Sequence, residues 1–223
     1  MKRVVLSFMA VFFGFFVVSA QDAPKGIPED VFYLMPKFGT GYVVYEGQAP
    51  VRGLINICAI DNSVRFKDSK GQEMAADNPE SIEQVFIENV SFMRNGNQGF
   101  ARLVSVAPGG EVAVAVKRDV TVMTDSKRGA YGMESQTTAV QEYSGLRTST
   151  RLYQLDEMRD FPYRVSETAS LFKDGSFMPI NKRNCQRVFP NAKDKIDAYF
   201  KDHKNAPSDV NEVIALCKEW GAQ

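Results

Sequence analysis

Histidine occurs once in this chain, at His203, and cysteine three times, at Cys58, Cys185 and Cys217. One histidine at the end of a charged segment has no partner, which excludes the usual zinc sites and a Ser-His-Asp mechanism. It reads instead as a helix C-terminal residue favoured by the macrodipole. The cysteines have neither metal-ligand nor Cys-x-x-Cys spacing, and an odd number permits at most one intramolecular bridge. Cys185 and Cys217, both in the C-terminal part, are the pair placed for a disulfide. Both also fit apolar-face positions where cysteine acts as a small hydrophobe.

Charge of one sign is also lacking, with 27 basic against 27 acidic residues. No basic excess is available to neutralise phosphates, so nucleic acid is not an expected partner. No phosphate loop, dinucleotide fingerprint, G-x-S-x-G or H-E-x-x-H is present. Gly39-Thr40-Gly41 is a lone glycine pair suited to a bulge or close packing. Asp61-Asn62 and the stretch 68–71 lack calcium-loop spacing and read as turns. No cofactor is implied.

Only one long apolar run exists. It extends from Val4 to Val18, behind Lys2-Arg3 and ahead of the small residues Ser19-Ala20. At about fifteen residues it falls short of the roughly twenty that span a bilayer, and it has the three regions of a secretory signal peptide. Cleavage is expected after Ala20, with no cysteine at the junction to carry a lipid. The mature chain would then hold 25 basic against 27 acidic residues, a formal charge of −2. It is expected to be exported, periplasmic or extracellular, with no stable membrane insertion after cleavage. About 203 residues suffice for one domain burying roughly 70% of its unfolded surface, so disulfides are not needed for stability.

What the chain does contain is β-type patterning. Residues 21–32, with two prolines and a glycine among charges, read as an extended leader. From Tyr33 short runs alternate with turn chemistry. Residues 41–45 and 51–59 form a hairpin around Glu46-Gly47-Gln48. Val64 and Phe66 then alternate with Arg65 and Lys67. Residues 82–87 and 90–93 follow, with Asn95-Gly96 as a two-residue turn signal. In the clearest strand, Val112, Val114, Val116, Val120 and Val122 share one face, interrupted only by Arg118. Residues 163–172 and 176–180 complete the β region. After 180 the period changes to about 3.6, predicting a short helix before Pro190, a second over 192–204, and a third capped by Ser208 with Val210, Val213, Ile214, Cys217 and Trp220 in a stripe.

The expected fold is therefore α+β: an antiparallel β-sandwich or β-roll over 33–180, with two or three C-terminal helices from 181–223 docked on it. One segment breaks the pattern. Residues 126–146 are polar, with Tyr131 and Tyr143 as isolated aromatics, and a loop of that length is unusual in a compact domain. Tyr131 and Tyr143 could stack on a sugar or peptide, with Lys127, Arg128, Gln136 and Gln141 supplying polar contacts.

The motifs Tyr33-Leu34-Met35-Pro36, Gly53-Leu54-Ile55-Asn56, Asn78-Pro79-Glu80 and the ending Asn184-Cys185-Gln186-Arg187-Val188-Phe189-Pro190 together resemble a group of secreted β-rich proteins from Bacteroidetes-type bacteria. That group has no assigned activity. The resemblance spans most of the mature chain on short structural motifs; it implies an envelope location and carries over no catalytic or binding residue. The function expected is a non-enzymatic binding or structural module of the bacterial cell envelope that recognises a protein or glycan through the long loop. The alternative is a secreted, glycosidase-like hydrolase using paired carboxylates, with Glu134, Glu142, Asp156, Glu157 and Asp160 as its candidate acids.

Overall fold

The computed structural model describes residues 27–122 and 163–222. Ten strands form one antiparallel sheet: β1 (Gly39–Tyr45), β2 (Val51–Ile57), β3 (Val64–Lys67), β4 (Glu73–Ala75), β5 (Ile82–Ile87), β6 (Val90–Arg94), β7 (Phe100–Ser105), β8 (Val112–Val122), β9 (Tyr163–Lys173) and β10 (Ser176–Met178), in the order β10-β9-β8-β7-β6-β5-β1-β2-β3-β4. β1 is the hinge of this topology. The chain meanders outward from it through β2, β3 and β4, then returns to its other edge with β5 and meanders away to β10. Three helices follow: α2 (Lys182–Val188), α3 (Lys193–Asp202) and α4 (Val210–Gly221). Among the described residues no helix is long and apolar enough to cross a membrane. The α+β reading and its docked helices are thus observed, with every described strand in one continuous sheet.

Residues paired across antiparallel strands point to the same face. Following the registers Val43↔Val85, Val85↔Phe92, Phe92↔Arg102, Arg102↔Val116 and Ile55↔Phe66 marks one face along the sheet. On its first half Val43, Ile55, Ile57, Val64, Val85, Ile87 and Phe92 are buried, with Ile82 and Phe100, in one cluster. On its second half Val112, Val114, Val116 and Leu171 are buried under the helices, α4 packing on β8 and β9.

Among the described residues no helical layer covers the first half, and it is sealed by curling. β2 and β8 lie five strand spacings apart, about 24 Å in a flat sheet. Cys58, Ala59 and Ile60, just past β2, nevertheless share a cluster with Val120 of β8, joined by Ile27, Phe32 and Tyr33. Gly99, before β7, approaches the Asn62 side chain after β2 so closely that a Cβ on Gly99 would overlap it. Within the sheet Gly41 plays the same part, since a Cβ there would collide with the Phe86 carbonyl. The Gly39-Thr40-Gly41 segment is a close-packing device.

Three sequence expectations are corrected. Residues 27–32 are not an extended leader: α1 (Glu29–Phe32) is one helical turn whose Phe32, with Ile27, is buried in the closing cluster. Its apolar residues outweigh the local proline signal once there is a seam to fill. Asn95-Gly96 does not make a two-residue turn, because Arg94 pairs with Phe100 and the intervening residues 95–99 form a five-residue loop closed by Asn95 N–H to Gly99 O. Ser208 is not the cap of α4; Asp209 Oδ1 accepts from the Asn211 and Glu212 amides at 2.8 and 3.0 Å. Helix α2, capped by Asn181, begins at Lys182.

Candidate functional site

Arg65 alternates with Val64 and Phe66 as the strand pattern requires, yet it is 2% exposed. Burying a guanidinium is tolerable only with charged and hydrogen-bonding partners, and the chain supplies them from three directions. The tight turn after β2 brings Asp61, whose Oδ1 accepts from Ser63 N at 2.9 Å and Ser63 Oγ at 2.6 Å, while Oδ2 accepts from Arg65 Nη2 at 3.1 Å. Arg65 Nε donates to Ser63 Oγ at 2.6 Å. The edge strand β4 brings Glu73, with Oε1 at 3.5 Å from Arg65 Nη1. The Tyr33 hydroxyl, from the N-terminal segment, donates to the same Glu73 oxygen.

The segment that carries Tyr33 is fastened beside this cluster as an improvised strand. Tyr33 bridges Cys58, Leu34 N–H donates to Ile57 O, and Ala59 N–H donates to Phe32 O. Buried Asn56 completes it: Oδ1 accepts from Met35 N at 3.1 Å and Nδ2 donates to Met35 O at 2.9 Å, so a side-chain amide stands in for a strand backbone. Lys67 lies 4.4 Å over the Phe38 ring just beyond.

The electrostatics point to a clamp. Burial, then the hydrogen bond to Glu73, pushes the Tyr33 phenol far up, so it remains a neutral donor. Burial likewise pushes the Cys58 thiol up, reinforced by Asp61, and leaves it inert. Both carboxylates are committed to Arg65. Among the described residues no group of three or more His, Cys, Asp or Glu side chains is arranged to hold a metal ion.

The sequence-predicted candidates fall elsewhere. Tyr131, Tyr143, Lys127, Arg128, Gln136 and Gln141 lie outside the described residues, as do the candidate acids Glu134, Glu142, Asp156, Glu157 and Asp160. The structure describes what holds the two ends of that segment. β8 and β9 pair residue for residue from Val112↔Lys173 to Val122↔Tyr163, so residues 123–162 connect the two strands at the end of an eleven-residue ribbon. Arg118 Nε bonds Glu167 at 3.0 Å across the ribbon, and Arg118 Nη1 donates to Asp30 O at 3.3 Å, tying it to α1.

Cys185 and Cys217 are free thiols buried in the helix-covered cluster. Burial raises the first to about 11 and the second to about 12, with the neighbouring Cys185 adding to the shift at Cys217. His203 caps α3, its ring stacked on Tyr199 at 4.4 Å between centroids and its Nδ1 3.0 Å from Tyr199 O.

Arg65 escaped the sequence reading because a strand arginine among alternating residues normally faces water. The available signal was its flanking by Asp61 four residues earlier and by Glu73 across the next hairpin. No protein-family model matches the chain, and neither does any curated protein or solved structure.

Proposed function

We propose that this protein is an exported, non-enzymatic binding module of the bacterial cell envelope, and that residues 123–162 on the β8–β9 ribbon engage a protein or glycan partner. The observation that supports this reading is the ribbon itself. Eleven consecutive cross-strand pairs hold Val122 opposite Tyr163 and fix the two ends of the segment at strand-pair distance, about 5 Å. The ribbon's far half is braced by the Arg118–Glu167 pair and by Val120 in the closing cluster. Binding residues carried between the ends of a rigid scaffold element are a common recognition device. Tyr131 and Tyr143 are the stacking groups in this reading, and Lys127, Arg128, Gln136 and Gln141 the polar ones. Export rests on the signal-peptide pattern of the first twenty residues.

The test replaces residues 126–146 by a short Gly-Ser linker and measures binding to isolated cell-wall glycan and to outer-envelope protein fractions. The expected result is a retained melting temperature and a loss of binding of at least tenfold, with Tyr131→Ala and Tyr143→Ala each giving part of that loss. Unchanged binding by the linker variant overturns the reading. So does turnover of a glycan that one carboxylate substitution abolishes, which would assign the hydrolase alternative instead.

A further inference from the structure

The two ends of the sheet are protected differently. β4 is three residues long, and its Glu73 is held by Arg65 and Tyr33. At the other end β10 covers only Leu171 to Lys173 of β9, so residues 163–170 have no strand partner on their outer side among the described residues. Residues 164–168 are exposed, Val165 at 40%. This open stretch contains no proline and no lysine, and its unbroken register with β8 shows no bulge. Those are among the devices by which edge strands ordinarily avoid pairing; the charges the stretch does carry are Arg164 and Glu167, the latter bound by Arg118.

We infer that the outer edge of β9 is a docking surface for a second copy of this chain, the two β9 strands pairing antiparallel about a two-fold axis at Ser166. The backbone phase follows from the β9–β10 hairpin. Asp174 and Gly175 both have positive φ, so Lys173 and Ser176 flank a two-residue turn and exchange hydrogen bonds. The Lys173 N–H and C=O thus face outward, and by alternation so do those of Tyr163, Val165, Glu167 and Ala169.

Side chains of paired residues must share a face, so a two-fold pairing centres on a residue. Centring on Glu167 or Arg164 sets like charges directly opposite each other, which is destabilising. Centring on Val165 pairs only 163–167. Centring on Ser166 pairs all of 163–169, opposes Arg164 to Thr168 of the partner subunit and Val165 to Glu167 of the partner subunit, and joins four outward-facing residues on each strand by about eight main-chain bonds. An extended peptide would fit less well, because its specificity would need side-chain pockets beside the strand, and the described helices that contact β9, α2 and α4, belong to the cluster that buries Leu171 on its inner face.

The experiment combines sedimentation equilibrium of the purified protein from 1 to about 200 µM with cysteine crosslinking. Opposed residues on a non-hydrogen-bonded dyad lie close enough for a disulfide, and the three native thiols are buried. The expected result is a concentration-dependent doubling of mass, with Ser166→Cys crosslinking into dimers at least tenfold faster than Thr168→Cys under the same mild oxidant. Val165→Pro removes an outward N–H without touching the β8 ladder and is expected to give monomer with an unchanged circular dichroism spectrum; should it not fold, Ser166→Lys places like charges across the axis to the same end. A monomer throughout the range, equal crosslinking of the two cysteine variants, or a dimer that survives both Val165→Pro and Ser166→Lys overturns the inference. A monomer whose β9 amides gain exchange protection only on adding an extended peptide assigns the edge to that ligand and overturns it equally.

Discussion

The first half of the sheet and the second half bury the same face by different means. In β1 to β6 the inner side chains are Val43, Ile55, Ile57, Val64, Val85, Ile87 and Phe92, and the sheet curls until they meet each other. In β8 and β9 they are Val112, Val114, Val116 and Leu171, and the volume above them is filled by Ile196, Val213, Phe189 and Trp220 from the helical segment. The polar groups buried or partly buried in this half, Arg65, Asn56, Asp61 and Tyr33, lie on the opposite face of β2 and β3, under the segment that carries Tyr33 and Met35. The centre of the helical cover is aromatic, with Trp220 5.9 Å from Tyr199 and 6.2 Å from Phe189 between ring centroids. Polar clasps go with closure, and aromatic lids go with docking.

That contrast can be broken most severely at its aromatic end. Trp220→Ala is expected to cost about 3–5 kcal/mol in chemical denaturation and to lower amide protection in α4 and β8 while sparing β1 to β3. Arg65→Leu attacks the other half. It strands two carboxylates that are 12% and 26% exposed, and partial hydration keeps its cost near the lower end of the buried-pair range, about 3 kcal/mol, with protection lost first in residues 33–35 and β4. Protection maps that do not differ between these two variants would show the halves to be one cooperative unit. Asn56→Ala sharpens the comparison further, because it leaves the Met35 N–H and C=O unpaired; about 1–3 kcal/mol and faster exchange at Met35 are expected.

Asp209→Ala should destabilise by about 1 kcal/mol in thermal melts, whereas Ser208→Ala should change nothing measurable, since only the former caps α4. The smallest effect at neutral pH comes from the thiols. Unfolded cysteines ionise near 9, whereas native Cys185 and Cys217 hold their protons to about 11 and about 12. Their contribution to stability is therefore complete below pH 9 and is lost as pH rises through 11 and 12, because the unfolded state releases protons that the native state retains. Melting temperature against pH should be flat in this respect to pH 9 and then fall, less steeply in Cys185→Ala.

Much of the fold was readable because its signals are local. The valine series of β8 announces a strand with one buried face, and the stripe from Val210 to Trp220 announces a helix that must dock. Both are found. The Asn95-Gly96 turn was misread because a dipeptide preference competes with where the flanking strands can pair. Closure of Gly99 on Asn62 decided that contest through a contact remote in sequence. The clamp around Arg65 was not fully readable for a related reason: its partners Asp61, Ser63 and Glu73 are closed off from water only when the distant Tyr33, which donates to Glu73, docks beside them.

Period, capping chemistry and turn residues, all interactions within a few positions, determined the strands, the helices and their order in this chain. The tertiary structure alone decided that the sheet closes on itself at one end and takes a helical lid at the other, that an arginine goes inside, and that no described strand pairs with the outer edge of β9 before Leu171. Each of those outcomes depends on which side chains exclude water between segments far apart along the chain, and no local pattern encodes that distance.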